Sequence, residues 1–96
     1  MEQTNEVNSI FIGSKPLMNY VSGIIMQFNS NNLNEVLIKS RGKFTSKAID
    51  IVELAKRKFP KDILTIKGIK IGSEEFTTAE GKKITVSILE ITLKKG

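Results

Sequence analysis

The stretch from Glu35 to Pro60 leaves this chain few choices of fold. Glu35-Val36-Leu37-Ile38 reads as a short buried strand, and Ala48, Ile51, Val52, Ala55 and Phe59 recur at the spacing of a helix face. Residues Lys39 to Lys47 are therefore a strand-to-helix turn. Gly42 lets such a turn be tight, Thr45 or Ser46 can cap the helix with a hydroxyl, and Pro60 predicts that the helix stops at Phe59. The turn holds four cations in nine residues, Lys39, Arg41, Lys43 and Lys47, with no acid among them. Free N–H groups and the positive end of a helix dipole, surrounded by Lys43 and Lys47, suit an anionic oxygen such as that of a nucleic-acid phosphate. A solvated basic loop with an ordinary cap is the competing reading, since no phosphate-loop signature is present.

Upstream, the same pattern occurs once more. Ser9-Ile10-Phe11-Ile12-Gly13 reads as a buried strand, Pro16 suits the first turn of a helix, and Leu17, Val21, Ile24, Ile25 and Phe28 share one face until the polar cluster Asn29 to Asn32. Lys15 thus also stands at a strand-to-helix junction. A right-handed βαβ crossover puts Lys15 and the Lys39 to Lys47 run at the same end of a sheet. Residues 1–7, polar and acidic, are read as a flexible tail.

From Ile63 the period changes to two. Leu64 and Ile66 are followed by a phase shift across Lys67-Gly68, which predicts a β-bulge, and then by Ile69 and Ile71. After a polar stretch from Ser73 to Lys83, with a turn expected at Glu80-Gly81, alternation resumes. There Ile84, Val86 and Ile88 give way to Leu89, Ile91 and Leu93, a second apparent slip. These segments predict a long ribbon whose inner half packs on the helices and whose outer half, tipped by Lys82 and Lys83, projects. The order is β-α-β-α-β-β: an α/β two-layer sandwich, two helices on one four-stranded mixed sheet, with the last two strands forming the projecting hairpin. At 96 residues the chain is a single domain.

Composition narrows the function. A formal net charge of +5 favours polyanions, and the absence of cysteine and histidine removes disulfides, thiolate metal sites and the commonest general base. Asp50 and Glu53, three residues apart on a helix, read as a solvated face or as partners for Lys47 and Arg57. No enzyme activity, metal or cofactor is expected. No apolar run approaches the roughly 20 residues of a membrane helix, so an intracellular protein with no membrane partner is expected. Basic residues Lys56, Arg57, Lys58 and Lys61 near the second helix's end have an ordinary explanation in the helix dipole. Phe59, among them, fits either core or a partly exposed contact. Four of the six aromatics fall in apolar stripes or strands, leaving Phe44 and Tyr20 as candidates for stacking on bases.

Gly13-Ser14-Lys15-Pro16-Leu17-Met18-Asn19-Tyr20-Val21, Ile38-Lys39-Ser40-Arg41-Gly42-Lys43, Ser46-Lys47-Ala48-Ile49-Asp50 and Gly72-Ser73-Glu74 carry a resemblance. From Asn8 to Lys95 the chain resembles the Alba family, small basic chromatin proteins of archaea. The resemblance implies a homodimer associated with the chromosome in the cytoplasm, as a nucleoid component. It implies binding to double-stranded DNA without sequence preference and also to RNA, with hairpin arms along the minor groove and the dimer body on phosphates. Together the basic run and the resemblance single out Lys15, Asn19, Tyr20, Lys39, Arg41, Gly42, Lys43, Lys47, Lys82 and Lys83 as nucleic-acid-binding residues. Phe59 matches an aromatic that the family uses between neighbouring dimers on DNA. Ser14 replaces the first lysine of the family's Lys-Lys-Pro motif, the one that can be acetylated, and Lys82 and Lys83 stand where the family's arm carries arginines. RNA-binding relatives share the fold, so a subunit of an RNA-processing complex is the alternative. An enzyme using the Lys15 and Lys43 turn on a small anionic substrate lacks a catalytic base.

Overall fold

Strands and helices follow one another in the expected order in the computed structural model, which describes residues 8–96. They are β1 (Asn8–Phe11), α1 (Leu17–Asn29), β2 (Glu35–Arg41), a single 3-10 turn at Gly42–Phe44, α2 (Thr45–Arg57), β3 (Leu64–Thr77) and β4 (Lys83–Lys95). The tail expected at residues 1–7 lies outside the described residues. One mixed sheet has the order β1-β2-β4-β3, with β1 parallel to β2 and β4 antiparallel to both of its neighbours.

Alternation along the strands decides which face the helices cover. In β2, Val36, Ile38 and Ser40 are buried, and their partners across β4 are Leu93, Ile91 and Leu89. These pack against Val21, Ile24 and Phe28 of α1 and Ala48, Ile51, Val52 and Ala55 of α2, so both helices share one side and the other side is open. Each large apolar side chain buried here contributes about 1.5–3 kcal/mol relative to exposure.

The parity of the strands corrects several expectations. Phe11, read from an unbroken apolar run as part of a buried strand, points to the open face opposite Lys39 and is 59% exposed, whereas Ile12 is buried. In β2 the strand continues through Lys39, Ser40 and Arg41, so the turn proper begins only at Gly42, whose φ of 53° requires the freedom of glycine. Neither Thr45 nor Ser46 caps α2 with its hydroxyl. Phe44 is the N-cap residue, and the Thr45 hydroxyl donates backwards to the Gly42 carbonyl at 2.8 Å. The helix ends at Arg57 with Lys58 as its C-cap, short of Phe59.

The expected bulge is present, with the pairing of β3 on β4 shifting between Ile66 and Gly68. Lys67 is the extra residue, and its ammonium is 2.6 Å from the Glu35 carboxylate at the start of β2. The second slip is not a slip. Pairing of β4 is continuous, so Leu89, Ile91 and Leu93 face the helices while Ile84, Val86 and Ile88 face the open side. Among the described residues, β3 and β4 make ladder pairs only with each other beyond the Arg41–Ile88 pair, and β3 runs on through Ser73 to Thr77, the start of the stretch read as polar. This free ribbon projects from the body, giving principal extents of 47 × 33 × 21 Å. Its tip closes as expected around Gly81, with φ of 83° and the Gly81 N–H donating to the Thr78 carbonyl at 2.9 Å.

Candidate nucleic-acid interface

The two strand-to-helix turns meet, and Lys47 joins them. From the first turn of α2 its ammonium donates to the carbonyls of Gly13 at 2.6 Å and Lys15 at 2.5 Å, while lying 5.2 Å from the centre of the Tyr20 ring and 5.7 Å from that of Phe44. Tyr20 completes the tie from α1. Its hydroxyl accepts from the N–H of Gly13 at 2.9 Å and of Lys15 at 3.3 Å. The loop before α1 is thus held at both its donors and its acceptors. Lys15 is left exposed at its outer edge, next to exposed Ser14 and near exposed Asn19 on the first turn of α1.

Lys43 is exposed in the 3-10 turn, with its ammonium over the Phe44 ring at 5.4 Å. Gly42 beside it is exposed and shapes the turn through its backbone. Lys39 and Arg41 alternate along β2 onto the open face of the sheet. Lys82 and Lys83 stand fully apart from this group, exposed at the hairpin tip. The cations expected at the site therefore occupy two places, a cluster at the end of the body and a pair at the end of the arm. Lys47 and Tyr20 differ from the rest in having their polar atoms committed to the loop.

Phe59 is half-buried. Its ring meets the fully buried Phe28 edge-to-face, with centroids 6.1 Å apart, and its other side lines an open hollow of about 480 Å³ between the end of α2 and β3. The core reading is thus partly met, and one edge of the ring stays exposed. The hollow has a charged rim that includes Glu53, Lys56, Arg57 and Lys61.

Three residues that gather around Arg41, namely Phe11, Glu74 and Phe76, were not expected at the site. Arg41 lies with its guanidinium carbon 5.9 Å from the Phe11 ring centre and 5.4 Å from that of Phe76, and its Nε is 2.9 Å from the Glu74 carboxylate. That ion pair lacks the alignment of a directed hydrogen bond. Conversely, Phe44 and Tyr20, the aromatics expected to be available, pack partly against the core. A two-layer fold with helices on one side would have pointed to Phe11, because its neighbours Ile10 and Ile12 claim the covered face.

A four-stranded mixed sheet with two helices on one side, basic turns gathered at its end and a projecting basic ribbon define a class of small two-layer α/β domain. Residues 8–73 match the Alba family. The DNA/RNA-binding protein Alba of Methanococcus maripaludis is 42% identical over 92% of this chain and 98% of its own. DNA/RNA-binding protein Alba 1 of Archaeoglobus fulgidus is 43% identical over 92% and 96% respectively. Among solved structures, Alba from Thermoplasma volcanium superposes with a TM-score of 0.82 at 43% identity, covering 92% of this chain and all of that one. The chain belongs to the Alba family.

Proposed function

We propose that this protein binds double-stranded DNA without sequence preference, and RNA as well, as a chromosome-associated homodimer in the cytoplasm. The observation that carries the reading is the junction made by Lys47. It ties the loop bearing Lys15 to the start of α2, next to the turn bearing Lys43, so that cations from separate parts of the chain stand on adjoining turns and suit phosphate oxygens. Lys39 and Arg41 extend that surface, and the arm carries Lys82 and Lys83 to a second point of contact, suited to a minor groove. The curated relatives named for DNA and RNA binding support the same conclusion.

The dimer is supported by apolar side chains that the body leaves in water. Ile66, Ile69 and Ile71 pair across β4 with Leu93, Ile91 and Leu89, and so project on the covered side beyond the helices, 37%, 58% and 77% exposed. Ile49 of α2, 47% exposed, adds to the same side. A second copy burying these would remove an apolar strip that a monomer exposes. Phe59, beside its open hollow, is suited to contact between neighbouring dimers on DNA.

Titration of duplex DNA and structured RNA at several salt concentrations, with sedimentation of the free protein, tests the reading. Affinity should fall linearly on logarithmic axes and the protein should sediment as a dimer. Salt-independent binding, or a monomer at micromolar concentration, would contradict it.

A further inference from the structure

The open face of the sheet carries two aromatic rings that the phosphate surface described above does not use. Phe11 and Phe76 are 59% and 38% exposed, and strand register directs both away from the helices. Arg41 lies between them, its guanidinium carbon 5.9 Å from one ring centre and 5.4 Å from the other, while the Lys39 ammonium is 5.3 Å from the Phe11 ring centre. Glu74 meets Arg41 through Nε, so the terminal N–H groups of the guanidinium are not spent on that pair.

An exposed ring beside cations is a surface for a flat π-system that carries negative charge next to it. An unpaired nucleotide has that form. Its base stacks on the ring, and its phosphate receives the cation that the base displaces. A paired base inside a duplex offers no free face, so this chemistry selects single strands.

We propose that Phe11 and Phe76 form a stacking platform for unpaired bases of a single-stranded nucleic acid, with Lys39 and Arg41 as its phosphate contacts. The platform rests on the nucleic-acid reading above and adds to it a site for unpaired bases on the open face. Because both rings flank one guanidinium, neighbouring bases of one strand can reach both. On this stretch of the face Lys39, Arg41 and Lys70 outnumber the acids Glu74 and Glu90, and that basic excess favours an anionic strand over a second copy of the same face.

The chain has no tryptophan, so Phe11→Trp supplies a single reporter. Its emission would be followed during titration with oligouridylate RNA, oligothymidylate DNA, an abasic oligomer of equal length and a duplex, at one salt concentration. Quenching by either base-bearing single strand, but not by the abasic strand or the duplex, is expected, and comparing the two strands distinguishes ribose from deoxyribose. The double variant Phe11→Ala, Phe76→Ala should bind those strands about tenfold or more weakly, with duplex affinity and sedimentation unchanged. Equal quenching by the abasic strand, or undiminished single-strand affinity in the double variant, would overturn the platform. So would a change in its sedimentation, which would mean that a second copy covers this face. Wild-type protein that binds neither duplex nor single strand would overturn the proposed function itself, whereas normal duplex binding with no effect of the aromatic variants removes the platform alone.

Discussion

Lys47 donates its ammonium proton to the Gly13 carbonyl at 2.6 Å, a bond between residues 34 apart in sequence. A lysine in a basic turn is thereby committed to architecture. Lys47→Met should lower thermal stability, because two loop carbonyls lose a charged donor, by about 1–3 kcal/mol. Duplex affinity should fall with it as the loop carrying Lys15 loosens. A variant that melts like the parent and loses only salt-dependent affinity would make Lys47 a phosphate contact instead.

Lys15 supplies charge without a structural duty for its ammonium. Lys15→Ala should leave melting unchanged and reduce the slope of log affinity against log salt by about one unit, equally for unrelated duplex sequences. Anisotropy titrations across a salt series read this directly, and an unchanged slope removes Lys15 from the interface.

The Tyr20 hydroxyl accepts two loop N–H groups, so Tyr20→Phe keeps the ring against the core and deletes only the acceptor. A loss of about 0.5–2 kcal/mol in denaturant unfolding is expected. Amide exchange at Gly13 and Lys15 should accelerate more than elsewhere. Unaltered exchange there would mean that the Lys47 bonds alone hold the loop.

Phe59 is neither a full core residue nor a free one. Truncation to alanine removes an edge-to-face partner of Phe28 but leaves the buried ring's other contacts, so a loss of about 1–3 kcal/mol is expected, below that of a fully buried phenylalanine. Cooperative coating of long DNA should weaken while binding to a duplex one dimer long is retained. Full cooperativity in the folded variant would assign Phe59 to packing alone.

Ser40 is buried on the helix side of β2 at 2% exposure, and its hydroxyl has no partner among the described residues. Ser40→Ala relieves a desolvated polar group and should melt at or above the parent temperature, with a gain of up to about 1 kcal/mol. A clear drop in melting temperature would show that the hydroxyl is satisfied in solution.

Periodicity made the fold legible. Helix stripes at Leu17 to Phe28 and Ala48 to Ala55, the bulge at Lys67-Gly68 and the turn at Gly81 all follow from local chemistry, and they fixed the order of elements. The two turns were placeable at one end by the crossover rule alone. What local pattern could not supply was the side a strand residue faces when its neighbours are also apolar. Phe11 in Ile10-Phe11-Ile12 looks buried until a sheet covered on one face only is known, and the phase change at Ile88-Leu89 looks like a slip until pairing proves continuous. Lys47 and Tyr20 were singled out as nucleic-acid contacts, but their bonds to Gly13 and Lys15 depend on tertiary approach and leave no trace in spacing.

The extra residue at Lys67 has a consequence for the arm. Before it, the even-numbered Leu64 and Ile66 lie on the helix side, and after it the odd-numbered Ile69 and Ile71 do. Glu74 and Phe76 reach Arg41 only because of that change. Were Lys67 instead paired with Thr92 as an ordinary strand residue, β3 would shift by one against β4 and the ribbon would turn over: Ile69 and Ile71 would move to the open face, and Glu74 and Phe76 would leave it. One residue, held at 2.6 Å to Glu35 and about 33 Å of strand away from the end of β3, acts as the parity bit that decides which surface of the arm faces which way.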